Sequence, residues 1–177
     1  MGRKLLNIIL FQAAWFTAVL GAARGNEWYG PLAVVLVLSV HLALTDDRRG
    51  ELTLMLVAGT LGFCFDTALS AAGIVTPRGH IFPYPFSQPW MVSLWLNFAA
   101  TLNFSLAWLK GRYLPAAIFG AVGGAGSYYG GARLGATLAL PDVNGILLLA
   151  LGWGIITPFL VWLAKRFQRK GAAVIAP

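Results

Sequence analysis

One cysteine, Cys64, and two histidines, His41 and His80, are the whole supply of those residues in a 177-residue chain. A lone cysteine makes no internal disulfide, and Cys64 sits in an apolar run where packing is its expected role. With so few ligating side chains and no paired spacing among them, neither a metal site nor a cofactor is expected. Charge is scarce as well, at 11% of residues against 58% apolar, and that ratio excludes a soluble surface. Catalytic signatures are missing: there is no Gly-x-Ser-x-Gly elbow, no His-Glu-x-x-His and no phosphate-binding loop. Nothing reads as a soluble domain, linker or low-complexity tail, so residues 1–177 are read as one integral membrane domain.

What the chain does contain is hydrophobic length. Six apolar stretches cover it: Leu5–Ala23, Pro31–Thr45, Leu52–Val75, Pro89–Leu109, Tyr113–Leu140 and Ile146–Ala164. Most approach the roughly 20 residues that span hydrocarbon. The expected fold class is therefore all-α, a bundle of six transmembrane helices. Arg3 and Lys4 ahead of an apolar run ending at Gly21, Ala22 and Ala23 have the form of a signal peptide. Gln12, Trp15 and the next span seven residues later instead favour an uncleaved first helix.

Basic residues alternate across these stretches. Arg3, Lys4, Arg48, Arg49, Lys110, Arg112, Lys165, Arg166, Arg169 and Lys170 fall on one side. The opposite loops hold Arg24 and Arg78, and Arg133 lies inside the fifth stretch. The positive side of short loops stays cytoplasmic, so both termini are expected in the cytoplasm. The net charge of +7 then reads as anchoring beside anionic lipid, with the bilayer as partner and no nucleic acid.

Two segments stand apart. The connection Thr76–Gln88 carries Pro77, Pro83 and Pro85 among Phe82, Tyr84 and Phe86, which bars a regular helix. Its rings, with Trp28, Tyr29 and Trp90, are expected at the headgroup level, and a lid over an outward-facing pocket is the sharper reading. The fifth stretch pairs Gly120 with Gly124, Gly126 with Gly130, and Gly131 with Gly135. That spacing predicts close helix contacts from Gly120 to Gly135, and so much glycine also permits a break near Ser127. Ala14 and Ala18 offer a similar small-residue face for a membrane protein partner.

Polar residues within spans are costly unless they meet a partner or water, so they are the functional candidates. Asp66 lies about 21 Å along its helix from Leu52, and Arg133 about 30 Å from Tyr113, both toward the outer side. A pairing of Asp66 with Arg133 is expected, as a clamp or as the wall of a site. Asn97, Thr101 and Ser105 share one helix face. Asp66, Asn97, Thr101 and Arg133 form the candidate ligand-binding set, and Asn7, His41 and Asn103 an inner-half polar set. The turn Asp46-Asp47-Arg48-Arg49-Gly50-Glu51 is expected to be solvated and to cap the third helix.

Leu6-Asn7 with Phe11-Gln12-Ala13-Ala14-Trp15-Phe16, Arg48-Arg49-Gly50-Glu51-Leu52, the Asp66 helix, Leu102-Asn103-Phe104-Ser105-Leu106 and the Gly120–Gly135 segment resemble a family of small, uncharacterised proteobacterial six-span inner-membrane proteins. The resemblance implies a bacterial inner-membrane location. Through neighbouring genes like those for cyclopropane-fatty-acid synthases and amine oxidases, it also implies a link to fatty-acyl or membrane-lipid modification; it implies no catalytic residue. A weaker likeness is to the substrate-capture subunits of energy-coupling-factor vitamin transporters. The expected function is non-enzymatic binding or movement of a small amphipathic or lipid-like molecule. The alternative is a membrane subunit of a lipid-modifying enzyme acting through His41, Asn103 and Glu51.

Reporter fusions after Lys170 should be active in the cytoplasm, and fusions within 78–87 should be active outside it. A C-terminus found outside would overturn the six-span arrangement.

Overall fold

The computed structural model describes residues 2–168, so Arg169 and Lys170 lie outside the described residues. It is a helical bundle of α1 (Gly2–Ala23), α2 (Tyr29–Leu44), α3 (Arg48–Ala71), α4 (Pro89–Leu102), α5 (Tyr113–Arg133) and α6 (Val143–Phe167). α1, α3 and α6 are long and apolar enough to cross a membrane, and α2 is a shorter apolar helix. The outside of the bundle is apolar too: Leu36, Leu56, Leu114, Val122, Leu151 and Ile155 are each more than half exposed. An apolar exterior of this extent belongs in lipid, which makes this a membrane protein.

The pairs α5–α6, α3–α6 and α1–α4 run antiparallel, as the order of their contacts shows. Gly120 faces Thr157 and Gly124 faces Trp153, which binds α5 to α6. Gly50 approaches Phe167, Gly152 meets Phe65, and Gly145 meets Ile74, so α3 and α6 lie in opposite directions. Asn7 Nδ2 donates to the Ala100 carbonyl and Asn97 Nδ2 to that of Phe11, which joins α1 to α4. Arg3, Lys4, Arg48, Arg49, Lys110, Arg112, Lys165 and Arg166 consequently gather at one end, here the basic end. Arg24, Arg78 and Arg133 sit at the other, the loop end, where the chain 72–88 crosses.

Local chemistry sets the helix boundaries. Asp47 caps α3 and Asp142 caps α6, each accepting from the backbone N–H three residues on. α4 stops at Leu102, so the expected span Pro89–Leu109 is really a 14-residue helix, a turn and a 3-10 segment, Ala107–Leu109. The stop follows from Asn103 and Ser105, whose side chains find partners on α3 and α1. Asn7 takes the freed Ala100 carbonyl, and the Thr101 carbonyl accepts from Phe104 and Leu106. α5 ends at Arg133 rather than continuing to Leu140. Gly135, at φ +89°, reverses the chain. Residues beyond it then pair with the α3–α4 connection through Arg78 N to Ala136 O and Leu138 N to Thr76 O, both 2.9 Å.

Several expectations change accordingly. α5 is continuous across Ser127. Of its glycines only Gly120 and Gly124 are pressed hard: a methyl group there would overlap Thr157 or the Trp153 indole, while nothing lies within 4 Å of one at Gly126. Gly130, Gly131 and Gly135 face Trp15, Val19 and Ala23 of α1 at ordinary distances of 3.6–3.9 Å. Cys64 is exposed rather than packed inside. Trp90 is buried, donating its indole N–H to the Arg78 carbonyl, whereas Trp28 and Tyr29 are exposed. Ala14 and Ala18 are buried within the chain, Ala18 against Gly30 of α2.

Gly124→Ala should lower stability by about 1–3 kcal/mol through overpacking against Trp153. Gly126→Ala should be neutral or mildly stabilising. Thermal unfolding of the purified variants checks this, and equal losses at both positions would remove the α5–α6 close contact from the account.

Candidate functional site

A cavity of about 490 Å³ runs along the inside of α5. α1 contributes Phe11, Gln12 and Trp15, α4 contributes Trp90, Trp95 and Phe98, and Trp153 of α6 closes the back. Its existence follows from the glycines. Gly120 and Gly124 let α5 lean on α6, while Gly123, where a Cβ would meet only the Phe119 ring, leaves room beside α5. α1 closes on α5 only near the loop end, at Trp15, Val19 and Ala23. Nearer the basic end Ile8, Gln12, Phe119 and Gly123 line the cavity and are exposed, so its mouth lies between α1 and α5. A volume of this size falls within the roughly 300–1,000 Å³ of small-molecule sites.

Asp66 is the one acidic residue in the lining among the described residues. It is 1% exposed and gathers three donors: the Trp95 indole N–H at 3.0 Å, the Ser87 hydroxyl at 3.4 Å and the Tyr128 hydroxyl. Each donor comes from a different element, so the carboxylate ties α3 to α4, to α5 and to the connection that precedes α4. The Trp95 ring stacks on Trp153 with centroids 4.3 Å apart, and Phe65 and Phe98 meet the pair edge-on. Packing thereby fixes the indole whose N–H holds Asp66. Ser87 N also donates to Thr67 Oγ1, which anchors the connection at the residue following Asp66 on α3.

At the basic end the structure joins three residues that the sequence presents separately. His41 Nε2 lies 3.0 Å from Glu51 Oε2, and Asn103 Nδ2 donates to Glu51 Oε1 at 2.8 Å. Glu51 is buried, which corrects the expectation of a solvated turn; Asp47 performs the capping. His41 packs on Phe104 at 4.6 Å, and its Nδ1 is buried without a partner. Burial lowers the pKa of nearby Lys110 from its ordinary value, and the charge of Glu51 opposes that shift. The cavity beside His41 is about 10 Å³, room for about one water.

The candidate ligand set divides. Asp66 and Thr101 line the large cavity. Asn97 is fully buried on the α1 side, holding the Phe11 carbonyl, and does not line it. Arg133 is exposed at the end of α5 and is not among the partners of Asp66, so the expected pairing is replaced by Trp95, Ser87 and Tyr128. Of the inner set, Asn103 shares Glu51 with His41, while Asn7 accepts from the Ser105 hydroxyl at 2.6 Å. No residue of the connection 78–88 lines the cavity, so that segment is not its lid. The donors to Asp66 went unnoticed because an indole and a phenol read as apolar bulk; the usable signal was that a carboxylate in hydrocarbon requires such donors.

Residues 4–159 match the model of a family described as a protein of unknown function, DUF2878. The chain belongs to this family. No curated protein and no solved structure matches it.

In this family member, Tyr128→Phe should destabilise by about 1.5–3 kcal/mol, the range for a hydrogen bond to a charged group. In double-variant cycles it should couple strongly to Asp66→Asn, while Arg133→Gln should add to Asp66→Asn within about 0.5 kcal/mol. Coupling of Arg133 rather than Tyr128 would restore the discarded pair.

Proposed function

We propose that this protein is a multi-pass membrane protein, with both termini on the cytoplasmic side, that binds a small amphipathic or lipid-like molecule in the cavity between α1, α4 and α5. The observation that carries the reading is the cavity itself: about 490 Å³, walled by aromatic rings, with a mouth between two lipid-facing helices. A molecule dissolved in the bilayer can enter sideways through such a mouth without crossing water. Its chain would lie along the bare surface of α5, where Gly123 and Gly131 leave the room. The polar groups near the loop end, Asp66, Tyr128, Ser127 and Thr137, would receive its head. The link to fatty-acyl or membrane-lipid modification implied by the sequence resemblance concerns molecules of this class.

The His41–Glu51–Asn103 cluster supports a structural role better than a catalytic one. It clasps α2, α3 and the turn after α4, and the space beside it holds about one water, which leaves no place for a substrate.

Gly123→Phe tests the proposal. A methyl group at that position would meet only the Phe119 ring, at 4.0 Å, so a larger side chain can fill the mouth without forcing helices apart. Binding of a fluorescent single-chain lipid to protein in nanodiscs should weaken by about tenfold or more, equivalent to about 1.4 kcal/mol. The unfolding temperature should stay near that of the parent. Undiminished binding by a well-folded Gly123→Phe variant would move the ligand elsewhere.

A further inference from the structure

The charge of the ligand can be read from the cavity wall, on the reading that an amphiphile occupies it. We infer that the cavity selects an amphiphile with a protonated amine at its head, and that Asp66 accepts a hydrogen bond from that ammonium. Among the described residues no Lys, Arg or His lines the cavity, and Asp66 is the one carboxylate. An anionic head would meet that carboxylate with no basic residue in the wall to balance it. A neutral head would gain hydrogen bonds but no charge attraction.

The geometry of Asp66 adds a second argument. A carboxylate has about four lone-pair positions. Trp95, Ser87 and Tyr128 occupy three of them, which leaves one acceptor position on a residue of the cavity wall. An ammonium N–H fits that position, as an approaching carboxylate or phosphate oxygen does not.

The remaining wall suits a cation equally well. Trp15, Trp90, Trp95, Trp108 and Trp153 all line the cavity. Aromatic faces attract cations by about 0.5–2 kcal/mol, most where water is excluded, and tryptophan is the strongest of them. Cation–π attraction with a carboxylate behind it is the usual solution for holding ammonium groups away from water.

These five are among the seven tryptophans of the chain, so intrinsic fluorescence reports on occupancy. The experiment titrates dodecylamine, dodecanol and dodecanoate at neutral pH into the full chain in phosphatidylcholine nanodiscs, with empty nanodiscs as reference. Dodecylamine should bind about tenfold more tightly than dodecanol, the ratio that about 1.4 kcal/mol provides, and dodecanoate should bind most weakly. Asp66→Asn should abolish the preference for dodecylamine over dodecanol, bringing the two affinities together. If that variant does not fold, the series on the parent protein still decides. Equal binding of all three, or a preference for dodecanoate, overturns the charge selection and leaves the amphiphile reading intact. No saturable signal from any of the three overturns the amphiphile reading itself.

Discussion

A carboxylate inside an apolar bundle must be surrounded by donors, and the rest of this structure is arranged around how Asp66 obtains them. The alternative is an unsatisfied charge whose cost exceeds what any one helix contact returns. Ser87, Trp95 and Tyr128 come from the connection, α4 and α5, so satisfying one side chain fixes the relative positions of three elements against α3. The stacked Trp95 and Trp153 rings then carry that constraint on to α6. Because Tyr128 reaches Asp66 from α5 itself, the hollow beside that helix has a polar wall at one place and an aromatic wall elsewhere.

The hollow and the hub have a common origin in glycine. Where Gly120 and Gly124 press on Thr157 and Trp153, the absence of Cβ atoms lets two backbones meet, as small residues do in membrane helices. On a neighbouring face of the same helix, Gly123 lines the cavity with only the Phe119 ring near it. A glycine-rich helix is commonly read as a packing device on every face. Here one face packs and the next leaves volume, and the difference depends on which neighbour each face meets.

The basic end has its own version of the Asp66 problem. Glu51 follows the charged turn directly, yet it turns inward and is satisfied by His41 and Asn103. Asn7 and Asn97 do comparable work for backbone, each offering an amide to a carbonyl of the facing helix. Asn7 and the turn after Leu102 take up the Ala100 and Thr101 carbonyls, and a 14-residue helix suffices at the middle of the bundle.

The sequence by itself determined the membrane class, the helical segments and the sorting of basic residues to one end. Apolar run length and charge placement are properties of the chain read in order, and they leave few alternatives. It also marked Asp66, His41 and Asn103 as polar groups in need of partners. Who the partners were was decided only in three dimensions. The Asp66–Arg133 pairing failed because charge complementarity in a sequence carries no information about reach, whereas Tyr128 and Trp95 lie on facing helices with their donors already aimed. The ends of α4 and α5 differed from the apolar runs for a related reason: hydropathy continues through Asn103–Leu109 and Leu134–Leu140, but helices end where side chains and loops from elsewhere take over the backbone's hydrogen bonds. The cavity was the least legible feature, since it is the space left by two helices that each packed against something else.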